Sequence, residues 1–269
     1  MWHKYTPGDS TPHSTSIIAT MTTIEKEFEA LLNGILEYRN GATLDTLVGH
    51  FVGVRPDLEG EGNLVGCGST QIAPVPDDGG PPIGPWYHPQ ELALGLSFVE
   101  AHRPSAILDI GTGNGWTTAL VAAVAQHHNP NARVVSCDPD DSQQRSLLHE
   151  VVRQAELRIQ FVKGTANEAR KHGPFGMVMF DGAMNAYHQL KRDAMAAQDA
   201  PLLWVHDIAN PFVGWENASK FWGEMVGERG VYHDSVRMHI PTLPDGQTRM
   251  GLGLLARALG GGGCKVCRK

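Results

Sequence analysis

The sequence lacks any run of about 18 apolar residues, so no membrane-spanning helix is expected. Its opening, MWHKYTPGDSTPHST, lacks the basic-then-apolar layout of a secretory signal. A basic surplus is missing too. Lys and Arg number 22 against 29 Asp and Glu, a formal net charge of -7. Nucleic-acid binders usually carry a basic face, so no nucleic-acid partner is expected. Cysteines number four: Cys67, Cys137, Cys264 and Cys267. Cys137 lies in an apolar strand-like run and reads as a reduced buried thiol, which fits a cytoplasmic location. The last two have C-x-x-C spacing in GGGGCKVCRK, but the second such pair that a four-ligand zinc site wants is missing. Residues 261–269 therefore read as a flexible tail. There is no internal repeat.

What is present suffices for one sizeable core, since 41% of the 269 residues are hydrophobic. Residues 1–20, rich in Ser, Thr, Pro and His, read as a disordered leader. TTIEKEFEALLNGILEYRNG reads as a helix. Thr22 and Glu25 have the spacing of a capping box, Ile24, Phe28, Leu31, Leu32, Ile35 and Leu36 lie along one face, and Gly41 ends it. ATLDTLVGHFVGV reads as a second, short helix. Residues 60–85 carry too many Gly and Pro for a regular element, and a lid or a plain connector are both open readings. HPQELALGLSFVEAH reads as a helix with Pro89 in its first turn. Tyr87 to Glu91 are taken as its entry, with an approach to a bound ligand from the lid as the other reading.

From Ser105 onward, strand and helix patterns alternate. The strands are SAILDIG, RVVSCD, RIQFVKG, GMVMFDG and LLWVHDI, with helical patterns between them. Two late strands are expected near VYHDSVRMHI and MGLGLLAR. Trp215, Phe221 and Trp222 suit helix-to-sheet packing. This alternation indicates an open, mostly parallel α/β sheet, whose ligands bind at the carboxyl ends of the strands.

The first strand ends in Asp109-Ile110-Gly111-Thr112-Gly113-Asn114-Gly115. Glycines there let the backbone approach a ligand. Trp116 stands where the dinucleotide fingerprint G-x-G-x-x-G wants its third glycine, and no G-K-[ST] phosphate loop is present. A carboxylate beside the turn disfavours a pyrophosphate and suits a cationic ligand end. Asp138, ending the second strand, has the position of an acid that accepts from ribose hydroxyls. Together they suggest a nucleoside with a positively charged tail.

LDIGTGNG and the acid in SCDPD resemble the class I S-adenosylmethionine-dependent methyltransferases, over about residues 95–260. The resemblance implies a Rossmann-like, seven-stranded, mostly parallel sheet with helices on both faces and one antiparallel strand near the end. Residues 21–94 would add N-terminal helices and a lid loop. Asp109, Gly111, Gly113 and Gly115, with Thr112 and Asn114 between them, would surround the methionine part of S-adenosylmethionine. Asp138 would hold the ribose, and Gly164, Thr165 and Ala166 would lie near the adenine.

The fourth strand ends in Asp181 and the fifth in His206-Asp207. In a parallel sheet both tips face one cleft, so these groups could converge and hold a divalent cation. The region resembles a subgroup of small-molecule O-methyltransferases, of the macrolide-sugar and cephalosporin-biosynthesis types, that reads D-G-x-H-x-Y at the fourth strand. Asp181, Gly182 and Tyr187 match. One extra residue follows Gly182, and Asn185 stands in place of His. The resemblance implies a metal, Mg2+ or another divalent cation, at Asp181, His206 and Asp207, with Asp181 also beside the cofactor. His206 is the first candidate for base and His188 the second. The expected partner is a small hydroxylated acceptor, and a homo-oligomer stays open. Other readings stay open too: a methyltransferase of this fold acting on nitrogen, protein or RNA, or a non-catalytic module that binds the cofactor. A nicotinamide enzyme is argued against by the missing third glycine.

Overall fold

Ile107 and Leu108 are consecutive, point to opposite faces of one strand, and are both fully buried. That is the signature of a strand covered on both sides, and it explains why AILDI reads as an apolar run rather than an alternation. The computed structural model describes residues 28–54, 87, 89–140, 145–182, 184, 186–196, 200–209, 216–228 and 251–256.

Among the described residues six strands form one sheet: β1 Ala106–Ile110, β2 Arg133–Asp138, β3 Ile159–Lys163, β4 Met177–Phe180, β5 Leu202–His206 and β6 Leu252–Ala256. Their order is β3-β2-β1-β4-β5-β6. All neighbours run parallel except β5 and β6. The strand order reverses between β1 and β4, which opens the crevice where such sheets bind ligands. The expected strand near residues 231–240 lies outside the described residues, so six strands stand where seven were expected. The antiparallel strand at the end is present.

Among the described residues the helices are α1 (28–39), α2 Leu44–Val54, α3 Pro89–His102, α4 Trp116–His128, α5 Arg145–Gln154, α6 Ala166–Ala169, α7 Tyr187–Ala196 and α8 Glu216–Glu228. A 3-10 turn, Arg170–His172, extends α6. One core cluster joins α1 to α4 and part of α5 to the face bearing Ile107, Val134, Met179 and Trp204. The other joins α6, α7 and α8 to the face bearing Leu108, Val135, Phe180 and Val205. This parity is the period of two of a pleated strand. Helix α4 is buried from Thr118 to Ala125, and its alanines let it lie close among its neighbours.

Gly41, at φ 102°, ends α1 as expected. The α1 stripe is narrower than expected. Phe28, Leu31, Ile35 and Tyr38 are buried, whereas Leu36 is 37% exposed. Tyr38 takes part in the stripe because it lies three residues beyond Ile35, on the same face, while Leu36 is turned aside. Phe221 is buried, and Trp222 packs over Gly253 of β6. The capping box at Thr22, residues 60–85, Trp215 and the C-terminal cysteines lie outside the described residues. None of the described helices is long and apolar enough to cross a membrane.

Candidate active site

Below the turn after β1, that strand's own carboxyl ties it to α4 and β2. Asp109 is 2% exposed, and its Oδ2 accepts from Thr118 Oγ1 at 2.6 Å and from Ser136 Oγ at 2.7 Å. Burial pushes the Asp109 carboxyl up to about 7, against the lowering effect of those two hydroxyls. The turn backbone hangs on β2 as well, since Gly111 N–H donates to Cys137 O at 2.9 Å.

Above the turn lies an open cavity of about 200 Å³. The expected residues Gly111, Thr112, Gly113, Asn114, Gly115, Asp138 and Asp181 line it. Trp116, Thr117 and Gly182 line it too, and the motif reading had not included them. Asp109 does not reach its wall, nor do Gly164, Thr165 and Ala166. Gly164 N–H donates to Asp138 O at 3.0 Å, and Thr165 caps α6 in a reciprocal box with Glu168. Trp116 replaces the third fingerprint glycine and packs on Phe28 of α1, with ring centroids 5.5 Å apart. A side chain of that size there excludes the close helix-to-strand packing of the dinucleotide fingerprint.

Asp138 joins the cavity to the turn. Its Oδ2 accepts from Gly113 N–H and its Oδ1 from Asp140 N–H, both at 2.9 Å. Two backbone donors, one on each oxygen, fix the carboxylate plane.

The tips of β4 and β5 converge as the sequence suggested. Asp181, His206 and Asp207 bring one potential ligand atom each to within 4.8 Å of one another. His206 Nδ1 lies 3.0 Å from Asp181 Oδ1 and 3.5 Å from Asp207 Oδ2. His206 and Asp207 are nearly enclosed, whereas the Asp181 side chain keeps 20% of its surface exposed. Burial works against an imidazolium at His206, but the Asp207 and Asp181 carboxylates outweigh it and hold its pKa well above the ordinary range. Its Nε2 is buried with no hydrogen-bond partner among the described residues. Asp207 itself has φ 60°, a left-handed backbone that Asp tolerates better than most residues and that aims it back at the cluster. His188 is exposed on the first turn of α7 and is not a member of this cluster, and Asn185 lies outside the described residues.

Tyr87, taken from the sequence as helix entry, belongs to the site. Its ring stacks on His206 at 3.8 Å with 28° between the planes. Its hydroxyl accepts from Trp204 Nε1–H at 2.9 Å. No local pattern marks it. The one available signal was an aromatic just before a Pro-initiated helix.

Two carboxylates and an imidazole are a donor set that can hold a divalent cation, and one of their separations has a suitable length. Ligands at about 2.1 Å from an octahedral ion lie about 3.0 Å apart when adjacent, close to the separation of Nδ1 and Oδ1. The same separation also suits a plain hydrogen bond from Nδ1–H to the carboxylate.

Residues 108–206 match the family model described as a methyltransferase domain. No curated protein matches the sequence. Among solved structures, the O-methyltransferase from Bacillus cereus in complex with SAH is 14% identical, with TM-score 0.48, over 62% of this chain and 80% of that one. The O-methyltransferase TomG from Streptomyces achromogenes, involved in tomaymycin synthesis and in complex with SAM, is 21% identical, with TM-score 0.46, over 63% and 80%. The SAH-bound methyltransferase PaMTH1 of Podospora anserina is 12% identical, with TM-score 0.48, over 93% and 99%. The matched segment runs from β1 to the end of β5 and so contains the glycine turn, Asp138, Asp181 and His206.

Proposed function

We propose that this chain, whose residues 108–206 match a methyltransferase domain, transfers a methyl group from S-adenosylmethionine to a hydroxyl of a small molecule. A divalent cation at Asp181 and Asp207 assists. The observation that carries the reading is the double role of Asp181. It lines the cavity above the glycine turn and is also a member of the acid–imidazole cluster. Methyl donor and acceptor hydroxyl would meet at that residue.

When bound in the cavity, S-adenosylmethionine supplies a methyl on a sulfonium, which leaves as a neutral thioether. The glycine turn offers backbone, not side chains, to the ligand, and Asp138 takes the ribose hydroxyls. Asp181, with its negative charge near the cavity wall, suits the cationic end. A cation held by the cluster would supply Lewis acidity for the acceptor hydroxyl. Asp181 and Asp207 would hold it, with His206 Nδ1 as the third ligand. The chain's main contribution is placement, because an in-line displacement gains most from fixing the two reactants. The acceptor, of sugar or polyketide-like kind, would enter over Asp181, the most exposed member of the cluster.

A second reading uses the same residues without a cation. The 3.0 Å contact then is a hydrogen bond from His206 Nδ1–H to Asp181, and the Asp181 carboxylate, the more exposed partner, takes the hydroxyl proton.

Calorimetric titration with S-adenosylmethionine and its demethylated product tests the cofactor. Absence of binding to the wild type would overturn the methyltransferase reading. Methyl transfer from the labelled cofactor to a panel of hydroxylated sugars and phenols, with and without a chelator, tests the rest. Transfer abolished by chelation and restored by Mg2+ or Mn2+ supports the cation. Transfer that survives chelation favours the second reading.

A further inference from the structure

His206 and Asp207 are consecutive, and both bring a donor atom to the cluster at the β4–β5 tips. Consecutive residues of a straight strand cannot do that, because their side chains leave on opposite faces. Trp204 packs into the core on one face of the sheet and Val205 into the core on the other. His206 has the parity of Trp204, so a straight β5 would send Asp207 to the Val205 side. Yet Asp207 Oδ2 lies 3.5 Å from His206 Nδ1.

The ladder to β6 shows what turns it. The antiparallel register runs from Leu202 opposite Ala256 to His206 opposite Leu252, and one further step would set Asp207 opposite Gly251. Instead Ile208 N–H donates to Gly251 O at 3.3 Å. Asp207 and Ile208 thus stand together against one residue, the geometry of a one-residue β-bulge. The left-handed φ of 60° at Asp207 suits the first residue of such a bulge, a position that glycine commonly fills.

Three elements grip the bulge. On β6, a Cβ at Gly251 would lie 2.8 Å from Ala209 N, so only glycine lets the chain after Asp207 lie there. From α8, the Ser219 hydroxyl donates to Ile208 O. From α3 comes the fully buried Glu91. The interrupted ladder leaves the Gly251 N–H to a partner outside the sheet, and Glu91 Oε1 accepts it at 2.9 Å. One helical turn beyond Glu91, Gly95 seats α3 on β5, where a Cβ would lie 2.0 Å from Trp204 Cη2.

We propose that Asp207 is carried by a bulge in β5 and that Glu91 is the positioning residue that holds this bulge, so that the Asp207 carboxylate faces Asp181 and His206. The use of that carboxylate rests on the reading of the β4–β5 cluster as the reaction centre, and the bulge itself does not.

The bulge is tested by thermal melts of Asp207→Gly and Asp207→Ala in the full chain. Within an ordinary strand glycine is the less stable of the two. At a left-handed position the order reverses, and Asp207→Gly should melt higher by about 2 °C or more. Equal or opposite order overturns the bulge.

The role of Glu91 is read from the Cα and Cβ resonances of Asp207 in isotope-labelled, metal-free protein, assigned by their loss in Asp207→Ala. Wild type should show left-handed values. In Glu91→Ala they move toward extended-strand values, and in Glu91→Gln, which keeps an acceptor, they stay. S-adenosylhomocysteine affinity by calorimetry remains within about twofold in both variants, since Glu91 does not line the cavity. Mn2+ affinity, followed by water-proton relaxation, falls about tenfold or more in Glu91→Ala and returns in Glu91→Gln. Glu91→Asp, which keeps the charge and shortens the reach, decides the matter if Glu91→Ala fails to fold. Extended-strand values in wild type, or values unchanged in the variant that lacks the contact, overturn the proposal. If wild type binds no Mn2+, the cation reading fails by itself, and the melts and resonances decide the bulge and the role of Glu91.

Discussion

Gly111 and Gly182 meet back to back across the tips of β1 and β4. A Cβ on Gly111 would lie 2.4 Å from Gly182 N, and one on Gly182 would lie 2.8 Å from Gly111 Cα. Asp181 immediately precedes this contact. The cavity turn and the acid cluster are therefore parts of one packed unit.

Gly111→Ala is expected to destabilise the fold by about 1–3 kcal/mol, because φ 102° and backbone contact both oppose a side chain. Binding of S-adenosylhomocysteine should fall at least about tenfold, a loss of roughly 1.4 kcal/mol. Gly113→Ala is the control. Its φ is 50°, and a Cβ there meets nothing within 4 Å among the described residues, so only about 1–2 kcal/mol of left-handed strain applies. Denaturant melts of both variants check this, and equal losses would show that the close approach is not the constraint.

Asp138→Ala removes the acceptor for two backbone donors together with the carboxylate proposed to hold the ribose. Hydrogen bonds to charged groups contribute about 1.5–3 kcal/mol each. Calorimetry should show S-adenosylhomocysteine affinity lower by tenfold or more. Adenosine, which keeps the ribose diol, should lose affinity in the same variant. If methionine loses as much, Asp138 acts through the turn rather than the ribose.

Asp109→Asn tests the buried carboxyl. In the folded state its pKa is raised to about 7, whereas in the unfolded chain it is near 3.9. The native state thus holds a proton that the unfolded state releases. The stability it contributes is fully present below about pH 4 and is lost as pH rises toward about 7. Asn mimics the protonated acid and accepts from Thr118 and Ser136 through its carbonyl. Melting midpoints of the variant should lose this downward drift between pH 5 and 7.5 and should equal or exceed the wild type above pH 7. A variant with an unchanged pH profile would show that Asp109 is ionised in the fold.

Glu91 is fully buried on α3, and its Oε1 accepts from Gly251 N–H at 2.9 Å, at the start of β6. Gly251 O in turn accepts from Ile208 N–H, one residue past Asp207. Glu91→Ala leaves a buried N–H without its acceptor and should cost about 1–3 kcal/mol, measured by urea unfolding. Glu91→Gln, which keeps an acceptor, should cost less. A larger loss for Gln than for Ala would exclude the bond to Gly251 as the reason for the buried acid.

Much of this was legible without coordinates. The apolar runs of β1, β2, β4 and β5 gave the parallel sheet, because a strand buried on both faces reads as a near-continuous apolar run. The glycine turn and Asp138 could be placed at strand ends, and the convergence of Asp181, His206 and Asp207 followed from the parallel order of β4 and β5. These are local patterns joined by one topological rule. The direction of the Asp109 side chain was not legible. The residue number gives the face of the strand, and only the hydroxyls of Thr118 and Ser136, one on a helix and one on the next strand, turn the carboxyl inward. The place of Tyr87 was hidden for the same reason. It stands 94 positions before Asp181 and 119 before His206, so no spacing links them. What brings it there is α3 lying on Trp204 at Gly95. The sequence by itself determined the period of each element and the chemistry at each strand end, because those depend on neighbours a few residues away. The packing of α3 on the sheet decided which distant side chains share that chemistry, because side-chain hydrogen bonds and ring stacking are set by distance in space rather than along the chain.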